Sequence, residues 1–111
     1  MPWQPSLFFF LLAYTALAST EESARKVFTS RCWACHSQTA LGGLRLDSRE
    51  AMLRGGKSGP ALLAGNAKES RIYQAASHTN PAVKAMPPGV TLTSDELRTI
   101  ETWINEGAPW T

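Results

Sequence analysis

The chain has 111 residues, 43% of them hydrophobic, which suits one small domain and leaves little room for a second. Eleven basic and nine acidic residues give a net charge of +2, and the basic residues are scattered from Arg25 to Arg98 without the clustered stripe that phosphate binding requires. Nucleic-acid binding is therefore not expected, and a core this small belongs to the class that often needs a disulfide, a metal or a cofactor to fold firmly.

The first eighteen residues carry no Asp, Glu, Lys or Arg, and a nearly continuous apolar run of twelve, Leu7 to Ala18, ends in Ala16-Leu17-Ala18. A bilayer span needs about 20 apolar residues. The run reads instead as a signal peptide over residues 1–18, leaving residues 19–111 as the exported domain. Its opening Met-Pro-Trp-Gln-Pro-Ser lacks the usual basic residue, so an uncleaved membrane anchor is the rival reading. No membrane span is expected after cleavage, and the expected location is the periplasm or another exported compartment.

The first helix is expected from about Glu21 to Ala34, with Ala24, Val27, Phe28 and Trp33 apolar. It delivers Cys32-Trp33-Ala34-Cys35-His36, which holds both cysteines of the chain. Three chemistries compete for these residues. A redox-active dithiol needs a strand-to-helix junction, and the one alternating stretch, Leu44-Arg45-Leu46, is far too short to supply strands. Structural zinc needs four protein ligands; no second C-x-x-C exists, and His36 is poorly placed to share a small tetrahedral site with both thiolates, leaving His78. Covalent haem uses all three residues at once: each thiol adds across one vinyl group, and the adjacent imidazole binds the iron from the same face.

A second, short helix follows Asp47, whose spacing to Glu50 fits a capping box, and Gly55-Gly56 stops it. Met52 inside it reads as core filler. Gly59-Pro60-Ala61-Leu62 comes next. The Pro60 carbonyl could accept the Nδ1 proton of the proximal imidazole, or the segment could be an ordinary turn; spacing alone does not choose between them. A third helix is expected over about Lys68 to Ser77, opened by Asn66 and Glu69, with His78 near its end.

The segment Ala85-Met86-Pro87-Pro88-Gly89 cannot continue a helix, so its thioether is free to point at a ring. Met86 is accordingly the expected sixth ligand of the iron. His78 is the runner-up, and a solvent-facing histidine favoured by the helix dipole is the plainer account of it. The last helix is the clearest: Thr93 to Glu96 offers a capping box, Leu97, Ile100, Trp103 and Ile104 recur at helical spacing, and Gly107 with Pro109 ends it. The first and last helices are expected to pack together, with Phe28 and Trp103 in contact.

Five blocks in order, C32-W-A-C-H36, G42-G-L-R-L-D-S-R-E50, G56-K-S-G-P-A-L62, A85-M-P-P88 and W103-I-N-E-G-A-P-W110, resemble the planctomycete-type cytochrome c domain, within the mono-haem cytochrome c superfamily. The likeness runs from about Ala24 to Trp110. It implies the all-α, small mono-haem cytochrome c fold, about four helices around one haem. It further implies one haem c held by Cys32 and Cys35, with His36 proximal, Met86 distal, and the Pro60 carbonyl orienting His36. In this family the domain commonly opens a much longer exported protein.

With His36 and Met86 both on the iron, no open site would remain, and one-electron transfer rather than enzymatic turnover is the expected function. The alternatives are a haem-based sensor or peroxidase-like site with a labile sixth ligand, or the haem module of a larger exported redox protein. Two propionates would offset the +2 of the polypeptide, so redox partner proteins are expected to dock transiently at an exposed haem edge without strong steering. Arg45 and Lys57 are candidate propionate partners, although charged loop residues are more often simply solvated.

Overall fold

The computed structural model describes residues 20–111, so the leader expected over residues 1–18 lies outside the described residues. Helix α1 occupies residues 20–31. Ala24, Val27 and Phe28 recur at three- and four-residue spacing and are all buried, giving α1 one apolar stripe. Glu21–Arg25 and Glu22–Lys26 are ion pairs along the helix with the acid N-terminal, the orientation that suits a helix; the first lies beside the apolar stripe, with Glu21 buried, and the second is exposed. The helix stops three residues short of the expected Ala34. The Phe28 carbonyl accepts from both Cys32 N–H (2.9 Å) and Trp33 N–H (3.0 Å), which ends the regular ladder and turns the chain at Cys32.

A single 3₁₀ turn, Leu41–Gly43, leads into α2, Arg49–Arg54. The cap of α2 is Ser48, whose hydroxyl accepts from Ala51 N–H (3.1 Å), and not the expected Asp47. Asp47 instead takes the guanidinium of Arg45 at 2.8 Å. Helix α3, Arg71–Ser77, starts later than expected. Asn66 does accept from Glu69 N–H (3.2 Å), but that bond closes a separate turn, and the buried Ser70 hydroxyl donates to the carbonyls of Leu63 and Asn66 rather than capping α3. Helix α4, Ser94–Asn105, has the reciprocal Thr93/Glu96 capping box that its sequence announces.

The fold is all-α, and among the described residues no strand forms. Phe28 from α1 meets Trp103 from α4 edge-on, with ring centroids 5.3 Å apart and planes at 73°, as expected for this pair. Met52, Leu62, Ile100 and Ile104 complete the fully buried centre, each side chain contributing about 1.5–3 kcal/mol by leaving water. Helix α3 lies against α4, where the Tyr73 hydroxyl donates to Glu101 (2.8 Å). The end of the described chain returns to the start of α1. Buried Glu21 accepts from the backbone N–H and the hydroxyl of Thr111, each at 2.8 Å, and from Arg25, whose guanidinium lies 3.8 Å from the centroid of the Trp110 ring and donates to the Thr111 carbonyl.

Candidate haem-binding site

The turn that ends α1 sets out the motif. Cys35 N–H (3.3 Å) and His36 N–H (3.0 Å) both donate to the Cys32 carbonyl, so one further coil of chain separates the two thiols and places the imidazole directly after the second. The cysteines are not joined to each other. Cys32 is partly buried against the core and Cys35 is exposed. Burial pushes the Cys32 thiol up to about 11; the nearby Glu96 carboxylate adds to the shift and Arg31 opposes it. Arg31, one residue before the motif, makes a two-pronged pair with Glu96 on α4 (2.9 and 3.1 Å) and so fastens the end of α1 to the start of α4.

His36 is half-buried, and its Nδ1 lies 3.1 Å from the Leu44 carbonyl oxygen. A carbonyl only accepts, so Nδ1 carries a proton, and in the neutral imidazole the lone pair is then on Nε2. The acceptor is thus Leu44, where the family resemblance implied Pro60 and spacing alone left it open. Pro60 is exposed and begins a stretch in which Ala61 and Leu62 N–H both donate to the Met52 carbonyl (3.0 and 3.2 Å), tying it to α2. The ring nitrogen of His36 is held from Leu44 instead.

Met86 is half-buried in the loop after α3, joined to Pro87 by a cis peptide bond, and its N–H donates to the Ala75 carbonyl (3.1 Å). No hydrogen bond runs directly between the Met86 segment and the cysteine motif among the described residues. A succession of backbone bonds connects them nonetheless: Leu46 to His36 (2.6 Å), Ala61 to Met52, Ile72 to Ala61 (2.9 Å), and Met86 to Ala75. Met52, fully buried on α2, is the core residue the sequence suggested. His78 is exposed at the C-terminal end of α3 in the left-handed conformation (φ 59°), its N–H donating to Gln74 O. Arg45, a candidate propionate partner, is engaged by Asp47, and Lys57 is exposed.

The rival chemistries fit this arrangement poorly. A reactive dithiol needs a strand-to-helix junction, and among the described residues no strand forms. Among the described residues no group of three or more His, Cys, Asp or Glu side chains is placed to hold a metal ion. Two free thiols on successive coils, followed by an imidazole whose Nδ1 is held by a carbonyl, are the donor set that covalent haem requires. The family described as Planctomycete cytochrome C matches residues 32–89, more than half of the chain and a stretch that begins at Cys32.

The chain belongs to this cytochrome c family. No curated protein and no solved structure matches it. As a haem-binding cytochrome c it carries haem c covalently, and the Cys32/Cys35 spacing supplies the two thioether positions. The matched segment takes in Leu44, Gly56, Pro60 and Met86 as well as the motif.

Three features of this cytochrome's site escaped sequence reasoning. The Leu44 carbonyl left no trace, because a main-chain acceptor is common to every residue. The Trp33 indole N–H, donating to the Leu46 carbonyl at 2.7 Å, lay hidden in a residue read only as apolar. The Arg31–Glu96 pair joins residues 65 apart, a separation no local pattern records.

Proposed function

We propose that this cytochrome is an exported one-electron carrier whose iron is ligated by His36 and Met86. The reading rests on the His36 hydrogen bond to Leu44, which fixes the tautomer and leaves Nε2 as the donor atom. When bound, the haem supplies the ferric/ferrous couple. The polypeptide's share of the work is to hold the imidazole in one orientation, to present a thioether from an anchored loop, and to keep the first ligand's Nδ1 proton on a fixed acceptor. Met86 is the second ligand because its loop is fastened to α3 at Ala75 and prolines follow it directly, whereas His78 is exposed at a helix end. Leu44 takes the orienting role first assigned to Pro60.

Residues 1–18 direct export and are removed, residues 19–111 are the haem domain, and the protein works in the periplasm or an equivalent compartment. Among the described residues no helix is long and apolar enough to cross a membrane. Partners are redox proteins that dock transiently. Exposed Leu41 and Val90, each within five residues of a proposed ligand, offer them a small apolar contact.

The test is an absorption spectrum of protein matured in a periplasm, with a pyridine haemochrome assay for thioether-linked haem and a search for the far-red ferric band of methionine–histidine iron. The band is expected to vanish in Met86→Ala and to persist in His78→Ala; the reverse moves the ligand to His78. Rapid carbon monoxide binding by the reduced protein would overturn the closed site in favour of a labile sixth position.

A further inference from the structure

The segment Leu44-Arg45-Leu46 lies across the haem motif as a strap and is fastened from two sides. On the motif side three bonds hold it: His36 Nδ1–H to Leu44 O (3.1 Å), Leu46 N–H to His36 O (2.6 Å) and Trp33 Nε1–H to Leu46 O (2.7 Å). Leu41 N–H reaches back to the Cys35 carbonyl (3.1 Å), anchoring the turn that leads into the strap. On the other side is the Gly55-Gly56 turn. A Cβ built on Gly56 would stand 2.6 Å from the Gly42 carbonyl oxygen and 3.1 Å from both the Leu44 nitrogen and the Leu44 Cβ, and Lys57 N–H donates to that same Gly42 carbonyl (3.0 Å). The obstacles are mostly backbone and would have to move as a piece. Gly56 does not have a positive φ, so its lack of a side chain answers a need for space.

We infer that Trp33 and Gly56 are positioning residues that clamp the strap from its two sides, so that the Leu44 carbonyl stays on Nδ1 of His36. The inference rests on His36 being an iron ligand, as proposed above. A carbonyl that accepts the Nδ1 proton makes the imidazole a stronger donor and stabilises the ferric state, so loosening the clamp raises the reduction potential. Neither residue touches the iron; each acts through the strap.

The experiment uses the haem-loaded protein and three variants. Trp33→Phe keeps a large aromatic side chain in the half-buried position and removes the one N–H. Gly56→Ala pushes on the strap from behind. Gly65→Ala is the control, because Gly65 has a strained φ of +87° but nothing within 4 Å of an added Cβ, so it costs stability without touching the strap. Reduction potential is measured by spectroelectrochemistry, and exchange of the His36 Nδ1 proton by NMR of the reduced protein. Trp33→Phe and Gly56→Ala are expected to shift the potential upward and to lose protection at Nδ1, while Gly65→Ala lowers thermal stability with potential and protection unchanged. An unchanged potential and unchanged Nδ1 protection in Trp33→Phe overturns the inference, even if Gly56→Ala fails to mature; so does an equal shift in all three variants. The underlying ligand reading fails on a different sample. If the unmutated protein lacks a histidine-ligated haem spectrum, that reading falls before any variant is made, and the clamp falls with it.

Discussion

Phe28→Ala puts the packing of the first and last helices to a direct test. The ring has no solvent exposure, meets Trp103 edge-on at 5.3 Å and lies 6.4 Å from Trp110, so its removal opens a hole beside the two indoles that α4 and the returning chain hold in place. Truncating a buried phenylalanine costs about 3–5 kcal/mol, and loss of the edge-to-face contact places this site in the upper half of that range. Against a total stability of roughly 5–15 kcal/mol the loss is large. With a urea slope of about 2 kcal/mol per molar, the unfolding midpoint of the haem-loaded protein should fall by about 2 M, followed by far-ultraviolet circular dichroism. Phe28→Leu, which refills most of the space, should cost no more than about 1.5 kcal/mol. The Phe28 carbonyl also carries the N–H groups of Cys32 and Trp33, so the Ala variant should lower the yield of covalently loaded protein while the Leu variant preserves it. A loss below about 1 kcal/mol in Phe28→Ala would refute the packing argument, since that is the cost of an ordinary surface change rather than of a buried ring.

Further expectations concern polar groups. The Arg31 guanidinium and the Thr93 N–H hold the Glu96 carboxyl below its usual range, so its contribution is complete above the unfolded-state pKa, about 4.3, and is lost as pH falls through the lower folded value. Urea midpoints measured down that range should show this acid loss in the unmutated protein and a flatter profile in Glu96→Gln. Ser48→Ala should cost about 1 kcal/mol and Asp47→Ala should leave α2 intact, a comparison that locates the cap by denaturation. Ser70→Ala should cost about 1–3 kcal/mol, because the buried hydroxyl serves Leu63 N–H and the carbonyls of Leu63 and Asn66 together.

The parts of this fold that could be read from the chain are those whose cause is local. Helix α4 carries its own cap, stripe and stop, and all three appear where Thr93, Ile100 and Gly107 place them. The Phe28–Trp103 contact follows from two stripes having one core to share. Short elements were less legible. The start of α2 turns on whether Asp47 or Ser48 supplies the capping oxygen, and an arginine two residues back decides it by taking Asp47. The start of α3 slipped because Asn66 closes a turn of its own before Ser70, and both arrangements share one sequence signature. The haem motif was plain, since its chemistry resides in named side chains. The surroundings of His36 were not, because they consist of main-chain atoms and of the bare face of Gly56, which becomes visible only when Leu44 is placed beside it.

The closure of Thr111 and Trp110 onto Glu21 and Arg25 has a spatial meaning. Cys32 follows Glu21 by eleven steps along α1 and its end, a rise of about 16 Å at roughly 1.5 Å per residue. The clasp between Glu21 and Thr111 therefore lies at one pole of the described residues, and the thiols lie toward the other, so a partner seated over the thiols would leave the clasp uncovered.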